Sequence, residues 1–479
     1  MGDTGKNLDP TIIKALKEIV GPENVTTSPA IRKFYSYGLG PGGDLLEGQA
    51  DVVVLPRSTP EVAAVVKLAN DNNIPIVPRG AGTSQWGTNM ALFGGISLDL
   101  CLMDKIIDID EDNMVAVAEG GCSTYKLMFE LDKRGLAFPV SPLYTTGPRI
   151  GAAVACNITG CHMTRFGRMG DNLTGLEVVL PTGEVVVLGS GAYPGTAFYH
   201  RYVGGPDLIG LFVNAGGTTG VLTKVACRVK TKPAYQEILA YGWRRDDAGP
   251  LTKAMYELQK QYVYDFFLLN EWNFYYAAKK EKRLNLPPEV HFIALISIDG
   301  ETAEHLQWRV ENFKKICHEN AGVDLGELGR VAMGPPHYRM WHSVSPWLQH
   351  MQATYFYNPI NKFPQVYDIY ETLTKEYGFW NEEYLPTWFS FHCRNTMNPY
   401  PLLAISNPKI PEQLEKIRTW WNLLNTEFTK IGCCQYLMGD ALPPIVFENL
   451  GPLYDFMKKI KHALDPNNIM NPQMIYGGR

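Results

Sequence analysis

The order of apolar and polar positions gives the chain two textures. Residues 51–56, "DVVVLP", predict a buried strand. "STPEVAAVVKLAND" then opens a helix. Ser58 and Glu61 stand at capping-box spacing, Pro60 suits the first turn, and Val62, Val65, Val66 and Ala69 recur at i, i+3, i+4, i+7. Residues 74–77, "IPIV", predict the next strand and complete a short βαβ unit. Strands are also expected at 96–100 and 114–121, and 176–189, "LEVVLPTGEVVVLG", predicts a hairpin whose turn contains Thr182 and Gly183. Past residue 235, helical stretches alternate with strands such as 291–299. Aromatic residues crowd in, with 16 Phe, Trp or Tyr among the 60 residues from 341 to 400. That density suits an aromatic core, a ring-lined ligand cavity, or both.

At 479 residues the chain exceeds what one core supports, so two or three domains are expected. A net charge of −5 gives no basic field for nucleic acid. Nine cysteines without a CxxC pair read as reduced thiols of a cytoplasmic protein. The opening "MGDTGKNLDP" lacks the apolar core of a secretory leader. No run approaches the length of a transmembrane segment.

Candidate chemistry begins at residues 78–87, "PRGAGTSQWG", a glycine-rich loop after a strand. A P-loop would need lysine after its last glycine, and Thr88 follows Gly87. A Rossmann loop would open a helix, whereas the next recognisable element is a strand. An anion nest of successive backbone N–H groups fits, as does a plain turn. Two more small-residue stretches, 141–161 and 205–225, each lie beside a strand. Three such stretches suit a long dinucleotide better than three unrelated turns.

Taken in order, "VVLPRSTPEVAAVVKLAN", "IPIVPRGAGTS", "TTGPRIGAAVACNITG", "GDNLTGLEVVLPTGEVV", "GPDLIGLFVNAGGTTGVLTKV" and "LDPNNIMNP" resemble FAD-dependent oxidoreductases of the vanillyl-alcohol oxidase / p-cresol methylhydroxylase (PCMH) type. The resemblance implies an α+β fold in three parts. Residues 1–235 would form a PCMH-type FAD-binding domain of two α/β subdomains, 236–445 an α+β cap over the flavin, and 446–479 a segment returning to the FAD domain. It places Pro78, Arg79, Gly80, Ala81, Gly82, Thr83 and Ser84 around the FAD pyrophosphate. Thr146, Gly147, Gly151, Ala152 and Asn157 would line the cofactor, Gly217, Val221 and Thr223 its adenosine end, and Asn471 would join them from the tail. FAD is expected to be noncovalent. The partners implied are a small-molecule substrate, an electron-acceptor protein and a second copy of the chain.

Two branches of that family compete for the chemistry. The 2-hydroxy-acid branch (glycolate and D-lactate dehydrogenases) carries a metal motif like HxGDGNxH and a later Glu–His. Here "FHCRNTMNPYP" keeps His392 but has Pro399 and Tyr400 where the second histidine should stand, and "CCQYLMGD" supplies neither Glu nor His. One histidine does not make a divalent site, so no metal is expected. Arg394 is the residue available for a substrate carboxylate, with an internal Asp or Glu as its other potential partner. The phenol and aryl-alcohol branch carries a motif like FFSPI, which "YFYNPINKF" resembles. Its Tyr–Arg pair maps to Tyr436 and Leu437, its aspartate near flavin N5 to Asp171 in "MGDN", and its covalent anchor to about Thr354 or Tyr355.

The reading is hydride transfer from an aromatic alcohol or 4-alkylphenol to flavin N5. Asp171, Tyr436 and His392 would surround the reacting carbon, with Arg394 for substrate charge. Asp171 could equally cap its loop, and His392 and Tyr436 could equally be interior residues. The alternatives are 2-hydroxy-acid dehydrogenation and an electron-transfer subunit of a larger complex.

Overall fold

The computed structural model describes residues 8–38, 46–84, 87–140, 147–160, 162–261, 264–272, 286–328, 352–393, 396–403, 410–436, 442 and 444–472. Their buried apolar side chains fall mainly into three clusters. One is built mostly from residues 16–103, one from 116–229 and a larger one mostly from 239–446. Each backs one of the three main sheets.

The first sheet contains β1 (Val25–Thr26), β2 (Val52–Val54), β3 (Ile76–Arg79) and β4 (Ile96–Asp99), in the order β1-β2-β4-β3. β2 and β3 both run parallel to β4, which inserts between the two strands of the βαβ unit. The helix Thr59–Asp71 buries Val62, Val65, Val66 and Ala69, the face its periodicity predicts. Ser58 Oγ accepts the Glu61 N–H at 3.4 Å, while the Glu61 carboxylate takes the Arg57 N–H at 2.8 Å. The far end of the chain joins this sheet. Ile76 N–H donates to the Ile469 carbonyl, and Asn471 N–H donates to the Ile76 carbonyl, both at 2.8 Å.

The second sheet is antiparallel and contains β5 (Ile106–Asp110), β6 (Val115–Glu119), β8 (Leu173–Val179), β9 (Val185–Gly189) and β10 (Val221–Arg228), in the order β5-β6-β10-β8-β9. A separate pair joins β7 (Leu136–Ala137) to β11 (Lys230–Thr231). β8 and β9 are the expected hairpin, with Val179 opposite Val185 and Gly183 at φ +88° in the turn. Glu177 on β8 ties this sheet to the first. Its carboxylate accepts from Thr59 Oγ1 at 2.7 Å, Thr223 Oγ1 at 3.0 Å and Lys224 Nζ at 2.7 Å. Burial raises the Glu177 pKa, but these donors outweigh it and hold the carboxyl below its ordinary range.

The third sheet runs through nine strands among the described residues. They are β12 (Tyr235–Trp243), β13 (Tyr264–Asn270), β14 (Phe292–Gly300), β15 (Val323–Asp324), β16 (Gln352–Ala353), β17 (Phe356–Pro359), β18 (Pro386–Cys393), β19 (Thr396–Leu403) and β20 (Cys434–Gln435). Every pairing is antiparallel, along the path β15-β12-β14-β13-β18-β19-β17-β20 with β16 on β19. The aromatic richness of the sequence becomes a core here: Tyr367, Tyr370, Trp388, Trp420 and Trp421 are all fully buried. Charged groups link the short helix Met163–Phe166 to this sheet. His162 Nδ1 lies 2.7 Å from Asp265 Oδ2 on β13, and Arg165 pairs with Asp299 on β14 and, at 3.5 Å, with Asp265.

Candidate cofactor and substrate site

A single cavity draws its lining from all three sheets. One wall is residues 78–84 with Thr88 and Asn89, a second Gly151, Ala152, Ala153, Ala155 and Cys156, and a third Gly216, Gly217, Gly220 and Leu222. Tyr355, Tyr400 and Tyr436 line it as well, together with Ile158 and Thr159. The glycine-rich stretches, far apart in sequence, thus converge on one groove.

Local geometry explains why small residues stand there. Gly82 has φ +72°, and a Cβ on it would fall 2.2 Å from Arg79 Nη2. The loop therefore rests on the Arg79 guanidinium, which is buried and donates to the carbonyls of Asn89 at 3.0 Å and Tyr35 at 3.3 Å. Tyr35 in turn donates to Asp99 at 2.5 Å and lies under the Arg79 cation. Across the groove, a Cβ on Gly120 would stand 1.9 Å from the Leu222 carbonyl oxygen, and one on Gly151 2.9 Å from that of Gly120. Backbone thus packs directly on backbone where β6, the helix Ile150–Ala155 and β10 meet. Burial pushes the Cys156 thiol up to about 11, with the Thr88 hydroxyl opposing, so this lining sulfur stays protonated near neutrality. A floor of backbone and small side chains fits a long dinucleotide lying against it.

The tyrosine-lined part is polar and tightly connected. Tyr436 donates its hydroxyl to the Asn157 carbonyl at 3.2 Å. Its own backbone is held on both sides, with N–H to the Tyr355 carbonyl at 3.0 Å and its carbonyl accepting Asn214 Nδ2 at 2.9 Å. Tyr400 donates to Asn398 Oδ1 at 2.7 Å and also hydrogen-bonds the Thr159 hydroxyl. Tyr355 packs edge-on to Tyr400, ring centroids 4.3 Å apart. Behind them the buried Arg168 guanidinium lies 4.1 Å from the Tyr357 ring centroid and 4.6 Å from that of Tyr436, with Nη2 on Asn398 Oδ1 at 3.1 Å.

Of the residues singled out in the sequence, all seven from Pro78 to Ser84 line the cavity, as do Gly151, Ala152, Gly217 and Tyr436. Others stand just behind it. Gly147 turns at φ +83° before the lining Pro148, and Asn157, at φ +44°, offers its carbonyl to Tyr436. Val221 and Thr223 are fully buried on β10, but alternation along the strand sends Gly220 and Leu222 to the cavity and these two side chains to the opposite face. Asn471 reaches the loops only from behind.

Asp171 is not brought to the cavity. It is exposed, and its carboxylate accepts the Arg168 N–H at 2.8 Å, capping the turn Met169–Asn172. His392 is fully buried on β18 against the edge of Phe266, also away from the lining. Thr146 and Arg394 lie outside the described residues. Sequence reasoning gave no role to Arg168, Thr159, Asn398 or Gly120. The one local signal was the i, i+2 spacing of Asn398 and Tyr400, which puts both on the same face of a strand.

The groove's floor of backbone and small side chains has room for a dinucleotide, and the comparisons with known proteins say which. Residues 50–189 match the FAD binding domain model, and residues 444–475 match the model for the C-terminal domain of FAD linked oxidases. The chain is 33% identical over 448 residues to a mitochondrial D-lactate dehydrogenase [cytochrome] of Arabidopsis thaliana, covering 88% of this chain and 72% of that protein. It is 29% identical over 312 residues to the glycolate oxidase subunit GlcD of Bacillus subtilis (strain 168), spanning 65% of this chain and 63% of that one. Among solved structures, p-cresol methylhydroxylase with substrate bound superposes with a TM-score of 0.80 at 18% identity, over 98% of both chains. The chain belongs to the FAD-linked oxidases with a PCMH-type FAD-binding fold; it is a flavoprotein oxidoreductase whose cofactor is FAD.

Proposed function

We propose that the substrate is an aromatic alcohol or a 4-alkylphenol, oxidised at the carbon attached to the ring. The carrying observation is the tyrosine-lined part of the cavity, where Tyr355, Tyr400 and Tyr436 meet beside a buried arginine. Three aromatic faces favour a flat aromatic guest by edge and face contacts, and the hydroxyls give its oxygen polar neighbours. FAD supplies two-electron acceptance of the departing hydride. The chain's own part is to seat the ring, keep bulk water away and hold charge near the substrate oxygen. Tyr436 and Tyr400 are proposed to flank that oxygen, and the Arg168 cation, 4.6 Å from the Tyr436 ring centroid, favours negative charge developing there. Residues 78–84, 151–152 and 217 are proposed to hold the FAD.

A second reading, dehydrogenation of a 2-hydroxy acid, is favoured by the names of the sequence relatives. Arg168, or Arg394 beyond the described residues, would then face the carboxylate.

One experiment separates the two. The purified holoprotein is mixed anaerobically with 4-alkylphenols or aryl alcohols, and separately with glycolate and D-lactate, while the oxidised flavin band is followed. Bleaching by the aromatic set alone is expected. Bleaching by the hydroxy acids alone overturns the proposal in favour of the second reading.

A further inference from the structure

Residues 461–471 do not line the cavity, yet they fasten two of its walls to each other. Lys461 is buried, and its ammonium has three hydrogens to place. It donates to the Thr218 carbonyl at 2.8 Å, the Met470 carbonyl at 2.7 Å and Asp465 Oδ2 at 2.5 Å. Asp465 also receives the N–H groups of Ile469 at 3.1 Å and Met470 at 2.8 Å, which fixes how the chain turns after the helix Pro452–Leu464. That turn delivers Asn471, at φ +42°, beneath the groove. Its side-chain nitrogen donates to the Thr88 carbonyl at 2.9 Å and the Gly216 carbonyl at 2.7 Å. Thr88 directly follows the first glycine loop, and Gly216 lies within the third small-residue stretch.

An amide nitrogen has two hydrogens, and both of Asn471's go to these carbonyls, so none remains for a ligand. We propose that Asn471, set in place by the Lys461–Asp465 pair, is a positioning residue of the FAD site, fixing the spacing of the first and third loops without touching the cofactor. This role rests on the FAD assignment and is independent of the substrate. Linkage then requires the converse: bound FAD, by holding the two loops at that spacing, steadies the tail.

The test measures FAD affinity on apoprotein by flavin fluorescence quenching, together with the melting increment that saturating FAD adds. Asn471→Gly removes the bridge while keeping a residue at ease with positive φ. Asn471→Asp keeps the shape but turns an acceptor toward both carbonyls. Each variant is expected to weaken FAD binding by about 10-fold or more, the scale of losing one or two buried hydrogen bonds, and to shrink the FAD-induced increment. A purely structural brace would lower the apo and holo melts together and leave affinity and increment at wild-type values, which would overturn the proposal. A second measurement needs no variant. Limited proteolysis of the wild-type tail should slow at least several-fold on adding FAD, and equal cleavage with and without FAD would likewise overturn it.

Discussion

Tyr400 and Arg168 meet at one atom. Asn398 Oδ1 accepts the Tyr400 hydroxyl at 2.7 Å and Arg168 Nη2 at 3.1 Å, while Asn398 Nδ2 donates to the Phe356 carbonyl at 2.7 Å. Arginine can only donate and a carbonyl can only accept, so the amide has one orientation, and the Tyr400 hydrogen must point to it. A cavity hydroxyl from the third sheet and a buried cation from the FAD-binding half are thereby held in register.

Arg168→Met should leave flavin content near wild type and raise KM for phenolic substrates by about 10-fold. Arg168→Lys should not restore it, because a compact ammonium cannot meet both tyrosine rings and Asn398 at once as the guanidinium does. Steady-state kinetics with flavin absorbance on the same samples checks both. An unchanged KM would remove the arginine from the substrate site.

Tyr436→Phe deletes the hydroxyl that donates to Asn157 and keeps the ring beneath Arg168. Flavin should be retained, while its anaerobic reduction by substrate slows by about 10-fold or more. Stopped-flow traces matching wild type would return this tyrosine to a packing role.

Gly82→Ala combines a left-handed backbone with a Cβ 2.2 Å from Arg79 Nη2, so the loop or the guanidinium must move. Arg79→Glu goes further, leaving the carbonyls of Tyr35 and Asn89 without their donor and adding a second negative charge near Asp99. Both variants should purify depleted in flavin, the second almost colourless. A fully yellow Arg79→Glu protein would contradict the loop's assignment to FAD.

The Glu177 junction predicts a pH effect. Its folded pKa is depressed, so its contribution is present above the ordinary carboxyl value, about 4.3, and is lost as pH falls through the lower folded value. Wild type should lose melting temperature on acidification below about pH 5. Glu177→Gln should start lower at pH 7 and show a shallower fall. Parallel curves for the two proteins would locate the acid sensitivity elsewhere.

What the sequence disclosed depends on how local each constraint is. The helix after Ser58 and the hairpin around Gly183 follow from spacing and turn chemistry within a dozen residues, and both are present. Glycine loops were legible for the same reason, since a need for positive φ or missing bulk is written at the residue itself. The side of the strand on which Val221 and Thr223 fall depends on register with β6 and β8, which no local pattern carries. Asp171 reads equally as a cap, and its hydrogen bond is a cap's. The cluster around Tyr400 joins residues from 159, 168, 355, 398 and 436, and only the packing of the third sheet against the FAD-binding half assembles it. Aromatic density alone announced that rings would gather, without saying which would face the cavity.

The bridge from Asn471 to Thr88 and Gly216 also has a temporal meaning. A chain emerging from the ribosome exposes its first glycine loop early, yet the residue fastening that loop to the third is hundreds of positions away. A nascent chain therefore lacks this bridge, and the contacts of Ile76 with Ile469 and Asn471, until synthesis reaches residue 471.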